Sequence, residues 1–171
     1  MDIESGAVTQ VTIRPVEACD IEAVRHVLVA TWHATYDGTL GAAKVDEIAV
    51  NWHSAEALMR QVETPEALFL LAEHDNGVVG CGFARLDRQG KLDLGQLYVL
   101  PGAQRQGVGR RLLTRLIGGF PQATSVRLEV ESRNVRAIAF YEGAGFKVVG
   151  MGEDCRGCGS LIAHVVMEKP L

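Results

Sequence analysis

Two groups of residues in this chain have the types and spacing to do chemistry. The first is the loop Gln104-Arg105-Gln106-Gly107-Val108-Gly109, followed by Arg110 and Arg111. An apolar-rich run over 92–99 precedes it, and Val108, Leu112, Leu113 and Leu116 recur at helical spacing behind it. The two glycines therefore fall where a strand ends and a helix begins. The first amides of a helix have no acceptor inside it, and the helix dipole adds partial positive charge at the same end. With small residues there, the segment suits a phosphate or pyrophosphate. It matches neither the dinucleotide fingerprint G-x-G-x-x-G nor the Walker loop G-x-x-x-x-G-K-[ST]. The second group is Asn134, Ala137 and Tyr141. Asn134 can cap a helix and still offer its amide to a ligand. Ala137 and Ile138 keep a helix face small and apolar, and Tyr141, at i+4 from Ala137, shares that face. A buried tyrosine hydroxyl needs a partner, which a ligand can supply.

Composition narrows the function. The chain of 171 residues is long enough for one domain with a sizeable core, placed over 8–171 behind a loose tail over 1–7. Its net charge of −4 argues against nucleic-acid binding, since such domains are usually basic. No apolar run reaches bilayer length, and the first ten residues carry Asp2 and Glu4 without a cationic stretch. No membrane partner is expected, and a cytoplasmic location is. Cys155 and Cys158 form a C-x-x-C, but zinc would need two more ligands. A redox pair would stand at a strand-to-helix turn, not between two late strands. No metal is expected.

The elements that must position these residues follow from periodicity and punctuation. A first strand spans 8–14, and Asp20 is placed as the N-cap of a helix whose inward residues are Ile21, Val24, Val27, Leu28, Thr31 and Trp32. Gly38 and Gly41 end that helix. A second covers 45–50, and a third runs from the Ser54 cap to about 62. Strands follow at 67–72, 78–86 and 91–99, the first two joined at Asn76-Gly77. After the loop and its helix, 125–131 alternates strictly and reads as a half-buried strand. A helix over 135–144 and strands over 146–151 and 161–168 complete the chain. This order predicts an α/β fold of the mixed α+β kind: a central mixed, mostly antiparallel sheet with helices on both faces.

Gln104, Gly107 and Gly109 match Q/R-x-x-G-x-G/A, and residues 134–146 match N-x-x-A-x-x-F-Y-x-x-x-G-F. Together, in this order and separated by a strand, the two resemble the signatures of the GNAT family of N-acetyltransferases. The resemblance implies splayed fourth and fifth strands with acetyl-CoA between them and no metal. The pyrophosphate would rest on the amides of Gln106 to Gly109, Val108 included, with Arg105 or Arg110 nearby. The pantetheine arm would pair with the backbone of Leu97, Tyr98 and Val99, and Asn134, Ala137 and Tyr141 would line the cofactor. The reaction implied is direct attack of an amine on the acetyl thioester, with Tyr141 protonating the departing thiolate. Asp93 falls where many members carry a glutamate base. It is one methylene shorter, so a bridging water is implied. Glu129 and Glu131 share one face of the fifth strand as fallback bases, and Glu129 is also a substrate-binding candidate. Tyr36 and Asp37 lie in the region that forms the acceptor pocket. A small-molecule primary amine is the expected acceptor. The alternatives are a protein N-terminus or lysine, and a non-catalytic CoA-binding module. The late strands offer an edge through which a homodimer could pair.

Overall fold

The computed structural model of the protein describes residues 10–74, 77–153 and 162–171. The tail over 1–7, Asn76 of the hairpin, the Cys155–Cys158 pair and Leu161 lie outside these residues. Seven strands form one sheet in the order β1-β2-β3-β4-β5-β7-β6. They are β1 (Thr12–Pro15), β2 (Ala67–His74), β3 (Gly77–Leu86), β4 (Lys91–Val99), β5 (Ser125–Glu131), β6 (Lys147–Gly152) and β7 (His164–Pro170). Every neighbouring pair is antiparallel except β4–β5, which is parallel. The mixed, mostly antiparallel sheet expected from the sequence is therefore the one observed.

Helices cover both faces. On one lie α1 (Ile21–Leu40), α2 (Ala42–Trp52) and α3 (Ala55–Val62). Val24, Val27 and Leu28 of α1 and Leu58 of α3 pack there on Phe69, Leu71 and Cys81. The opposite face carries α4 (Val108–Gly118) and α5 (Val135–Gly143). There Leu112 and Leu116 of α4 pack on Leu92, Leu94, Val126 and Leu128. The helical repeat of apolar residues in α1 and α4 and the two-residue repeat in β5 thus converge on one sheet, each filling one side of it.

Two helix boundaries differ from expectation. Asp20 does not cap α1 with its side chain. Its carboxylate accepts from two Arg14 guanidinium nitrogens, at 2.7 and 2.9 Å, and from the Glu17 amide at 2.9 Å. A short 3-10 turn over Ala18–Asp20 leads directly into α1. The charge of Arg14, brought in from β1, outcompetes a local cap for this carboxylate. At the other end α1 runs through Gly38 to Leu40, and the chain turns only at Gly41, where φ is +82°. Ser54 caps α3 as expected, its Oγ accepting from the Ala57 amide at 3.1 Å.

Candidate active site

The parallel pair β4–β5 is joined only at its start. Lys91 pairs with Ser125, Leu92 with Val126 and Asp93 with Arg127, and then the strands part. The cause lies in β4. Ala84 of β3 faces Leu94 while Phe83 faces Gln96, so Gly95 is an extra, bulged residue. A bulge bends its strand and increases the local twist. Beyond it β4 keeps β3 as its partner, and β5 keeps β7. A wedge is left between two strands that hydrogen-bond only outward.

This fork opens into a cleft of about 830 Å³. One wall is β4, including Gln96, Leu97, Tyr98 and Val99, and the facing wall is β5, including Glu129 and Glu131. The Leu100 amide donates to Val79 O of β3 at 2.8 Å, so the peptide groups of Val99 point the other way, into the fork. Gln104 donates from Nε2 to Val99 O at 2.9 Å, which ties the loop to the strand. Gln106 likewise donates to Gly102 O at 3.0 Å.

Beyond β4 the loop meets α4. Gly107 is left-handed, with φ +81°, a conformation natural to glycine. The first intrahelical bond of α4 runs from the Arg111 amide to Gly107 O at 3.0 Å, so the amides of Val108, Gly109 and Arg110 have no acceptor within the helix. Gly109 lines the cleft, and a Cβ there would meet Phe140 at 3.5 Å and Val99 at 3.7 Å, ordinary contacts. The protein itself thus has room for a methyl at Gly109, and the open space in front of it is what the glycine keeps clear. Arg105 and Arg110 stand beside it on the cleft wall. The Val108 side chain is in the core, so only its amide can serve a ligand.

From the other side, α5 supplies Asn134, Ala137 and Tyr141 to the cleft. Asn134 caps its helix, its Oδ1 accepting from the Ala137 amide at 3.1 Å. Tyr36, which comes across from α1, lines the same cleft. Burial raises the pKa of Tyr36, the Asn134 contact opposes the shift, and the charge of Glu131 adds to it. Tyr141 is 8% exposed, stacked edge-on against Phe140 and Phe146 at 5.1 and 5.5 Å. Its hydroxyl makes no hydrogen bond with a described residue. Burial holds its pKa well above the usual tyrosine value, with Tyr98 and Tyr36 adding to the shift. It is therefore a protonated donor at neutral pH.

The family model for the acetyltransferase (GNAT) domain matches residues 36–171. The chain belongs to the GNAT acetyltransferase family. Among relatives, it is 34% identical over 98 residues to the N-alpha-acetyltransferase RimI of Mycobacterium tuberculosis, an alignment covering 56% of this chain and 61% of that protein. The alignment with an N-acetyltransferase of Mycobacterium bovis covers 56% of that relative, so the chain spans less than two thirds of the length of these proteins. The peptidyl-lysine N-acetyltransferase YjaB of Escherichia coli is 32% identical over 129 residues, covering 74% of this chain and 78% of YjaB. The PaiA N-acetyltransferase of Thermoplasma acidophilum, solved in complex with coenzyme A, has the same fold: its TM-score is 0.83 at 24% identity, over 95% of this chain and 99% of that one.

Within this GNAT fold, Leu97, Tyr98, Val99, Gln104, Arg105, Gly107, Gly109, Arg110, Asn134, Ala137, Tyr141, Tyr36 and Glu129 all line the cleft. Asp93, Asp37, Gln106 and Val108 do not. Asp93 sits at the last paired position, opposite Arg127 on β5 and Arg85 on β3, before the fork opens. Asp37 bonds His33 Nδ1 at 2.8 Å on the outer side of α1. Gln96 was not singled out by sequence, yet it lines the cleft with a buried, unpartnered Oε1. Only the bulge at Gly95 turns Gln96 into the cleft, and a lone glycine in a strand is the one signal of it. Arg133 and Arg136 also line the cleft unforeseen, on either side of the Asn134 cap.

Proposed function

We propose that the protein is an acetyl-CoA-dependent N-acetyltransferase acting on the primary amine of a small molecule. The carrying observation is the fork itself: β4 backbone that has parted from β5 leads from the open amides of α4 to the Tyr141 hydroxyl, which bonds no described residue. The residues present fit acetyl-CoA. The amides of Val108, Gly109 and Arg110, with Arg105, suit a pyrophosphate, and the peptide groups of Leu97 and Val99 suit the amides of a pantetheine arm.

When bound, acetyl-CoA supplies an acyl thioester open to direct attack by an amine. A lysine-like amine, with a pKa of about 10.4, is almost wholly protonated at neutral pH, so a base is needed. Glu129 is two residues past the last β4–β5 pair, at the root of the fork, where a reactive end would lie if the phosphates rest on α4. Glu131 is two residues further out. We assign Glu129 the removal of the amine proton and Glu131 the electrostatic hold on the incoming ammonium. With the thioester in the fork, Tyr141 would give its proton to the departing sulfur, and Glu129 would take the proton that the amine loses. Asp93, at the last β4–β5 pair and outside the cleft lining, is given no direct part. A general acid or base of this kind contributes about 10²- to 10⁴-fold.

The experiment is a panel of amines, amino acids, aminoglycosides and peptides with acetyl-CoA, followed by release of free thiol. Turnover of a small amine supports the reading. Turnover confined to lysine peptides moves the acceptor to protein lysine, the reading that similarity to YjaB favours. Binding of acetyl-CoA with no turnover of any amine leaves a CoA-binding module.

A further inference from the structure

The acceptor half of the cleft has a wall of unusual chemistry. Thr31, Ala34, Thr35 and Thr39 of α1 line it. Each threonine hydroxyl donates back to the helix: Thr31 to Val27 O at 2.7 Å, Thr35 to Thr31 O at 2.8 Å and Thr39 to Tyr36 O at 3.2 Å. With the hydroxyls turned inward, the wall presents methyl groups and offers a ligand no free donor or charge. It runs from Thr31, which is buried, to Thr39, which is exposed. Thr31 and Thr35 are one turn apart, about 6 Å along the axis, which matches the reach of a four-carbon arm.

Opposite this wall the negative charge is limited. Glu129 lies 3.1 Å from Arg127 and 3.8 Å from His164. Glu131 and Tyr36 both line this part of the cleft, and Glu131 forms no ion pair with a described residue. Arg133, on the same lip, is a cation. One ammonium group can therefore be met here, and a second would find methyls or an arginine.

Resting on the reading of the protein as an N-acetyltransferase, we propose that its acceptor is a primary amine at the end of an unbranched aliphatic arm of about four carbons, with no second cation nearby. Free alkylamines and the lysine side chain share this chemistry. Glu131 and Tyr36 hold the ammonium end, and the α1 wall covers the arm. Polyamines and aminoglycosides are disfavoured.

The test measures kcat/KM for ethylamine, propylamine, butylamine, pentylamine, Nα-acetyl-lysine amide, a lysine peptide, 1,4-diaminobutane and spermidine. These primary alkylamines share nearly the same basicity, so a trend with length reports on burial of the arm. About a fourfold rise per methylene up to butylamine is expected. Spermidine should fall on the order of tenfold below butylamine. A preference for the lysine compounds over butylamine identifies a peptidyl source, and the reverse identifies a free amine. Ala34→Asp adds a carboxylate to the exposed wall and should raise diaminobutane relative to butylamine about fivefold. A flat response to length, or a wild-type preference for spermidine, overturns the inference while leaving the acetyltransferase reading intact. No turnover of any amine overturns that reading itself.

Discussion

Tyr141→Phe separates catalysis from packing at the centre of the site. The substitution keeps the ring and its edge contacts with Phe140 and Phe146 at 5.1 and 5.5 Å. It removes a hydroxyl that bonds no described residue, so no hydrogen bond among the described residues is lost. Stability should therefore change by no more than about 1 kcal/mol. Turnover should fall about 10²- to 10⁴-fold, equivalent to roughly 3–5 kcal/mol of barrier. The assay is initial thiol release with saturating acetyl-CoA, alongside melting curves with and without acetyl-CoA. The melting shift given by acetyl-CoA should be nearly unchanged, because the phosphate contacts proposed above lie on the loop and α4. The pH dependence adds a further check. Burial raises the Tyr141 pKa, so its folded-state preference for the neutral form is intact below the usual value of 10.0 and lost as pH rises above it. Tyr141→Phe should therefore lose less stability than wild type on the alkaline side. Turnover within twofold of wild type, together with a melting temperature lowered by several degrees, would refute the reasoning and leave Tyr141 a packing residue.

Other predictions concern the base, the loop and a buried histidine. Asp93→Asn should retain activity within a few-fold, whereas Glu129→Gln should lose on the order of 10²-fold near neutral pH and recover at high pH, where more of the amine is neutral. Loss at Asp93 with none at Glu129 or Glu131 would return the base to β4. Gly109→Val should abolish most of the melting shift that acetyl-CoA gives. Gly109→Ala alone should leave the apoprotein's stability nearly unchanged, since its Cβ meets nothing closer than 3.5 Å. His53 is buried, and that burial lowers its pKa from 6.5 to about 4. A depressed pKa contributes stability that is present above 6.5 and lost as pH falls toward 4, on the order of 3 kcal/mol in all. His53→Leu should flatten that acid limb in urea titrations between those two pH values.

Local chemistry made much of this protein readable in its sequence. The strands over Lys91–Val99 and Ser125–Glu131 and the helix after Gly107 were legible from alternation, helical spacing and the paired glycines. So were the Ser54 and Asn134 caps, because a cap is decided within three residues. The two motifs together pointed to the family, and Gln104, Arg105, Gly107, Gly109, Asn134, Ala137 and Tyr141 within them line the cleft. What tertiary structure decided was every relation between distant segments. Asp20 is a good cap by type, but Arg14 of β1, held by Glu73 of the neighbouring β2, takes the carboxylate. Asp93 and Glu129 are both acids on strands that border the fork, and nothing in their own neighbourhoods ranks them. Their difference comes from where β4 stops pairing with β5, one position before Leu94, and from the bulge at Gly95 that turns Gln96 into the cleft. Strand pairing is a contact between segments more than thirty residues apart, and its end point depends on twist accumulated across the sheet. The inward-turned hydroxyls of α1 are likewise seen only once the helix is laid against the fork.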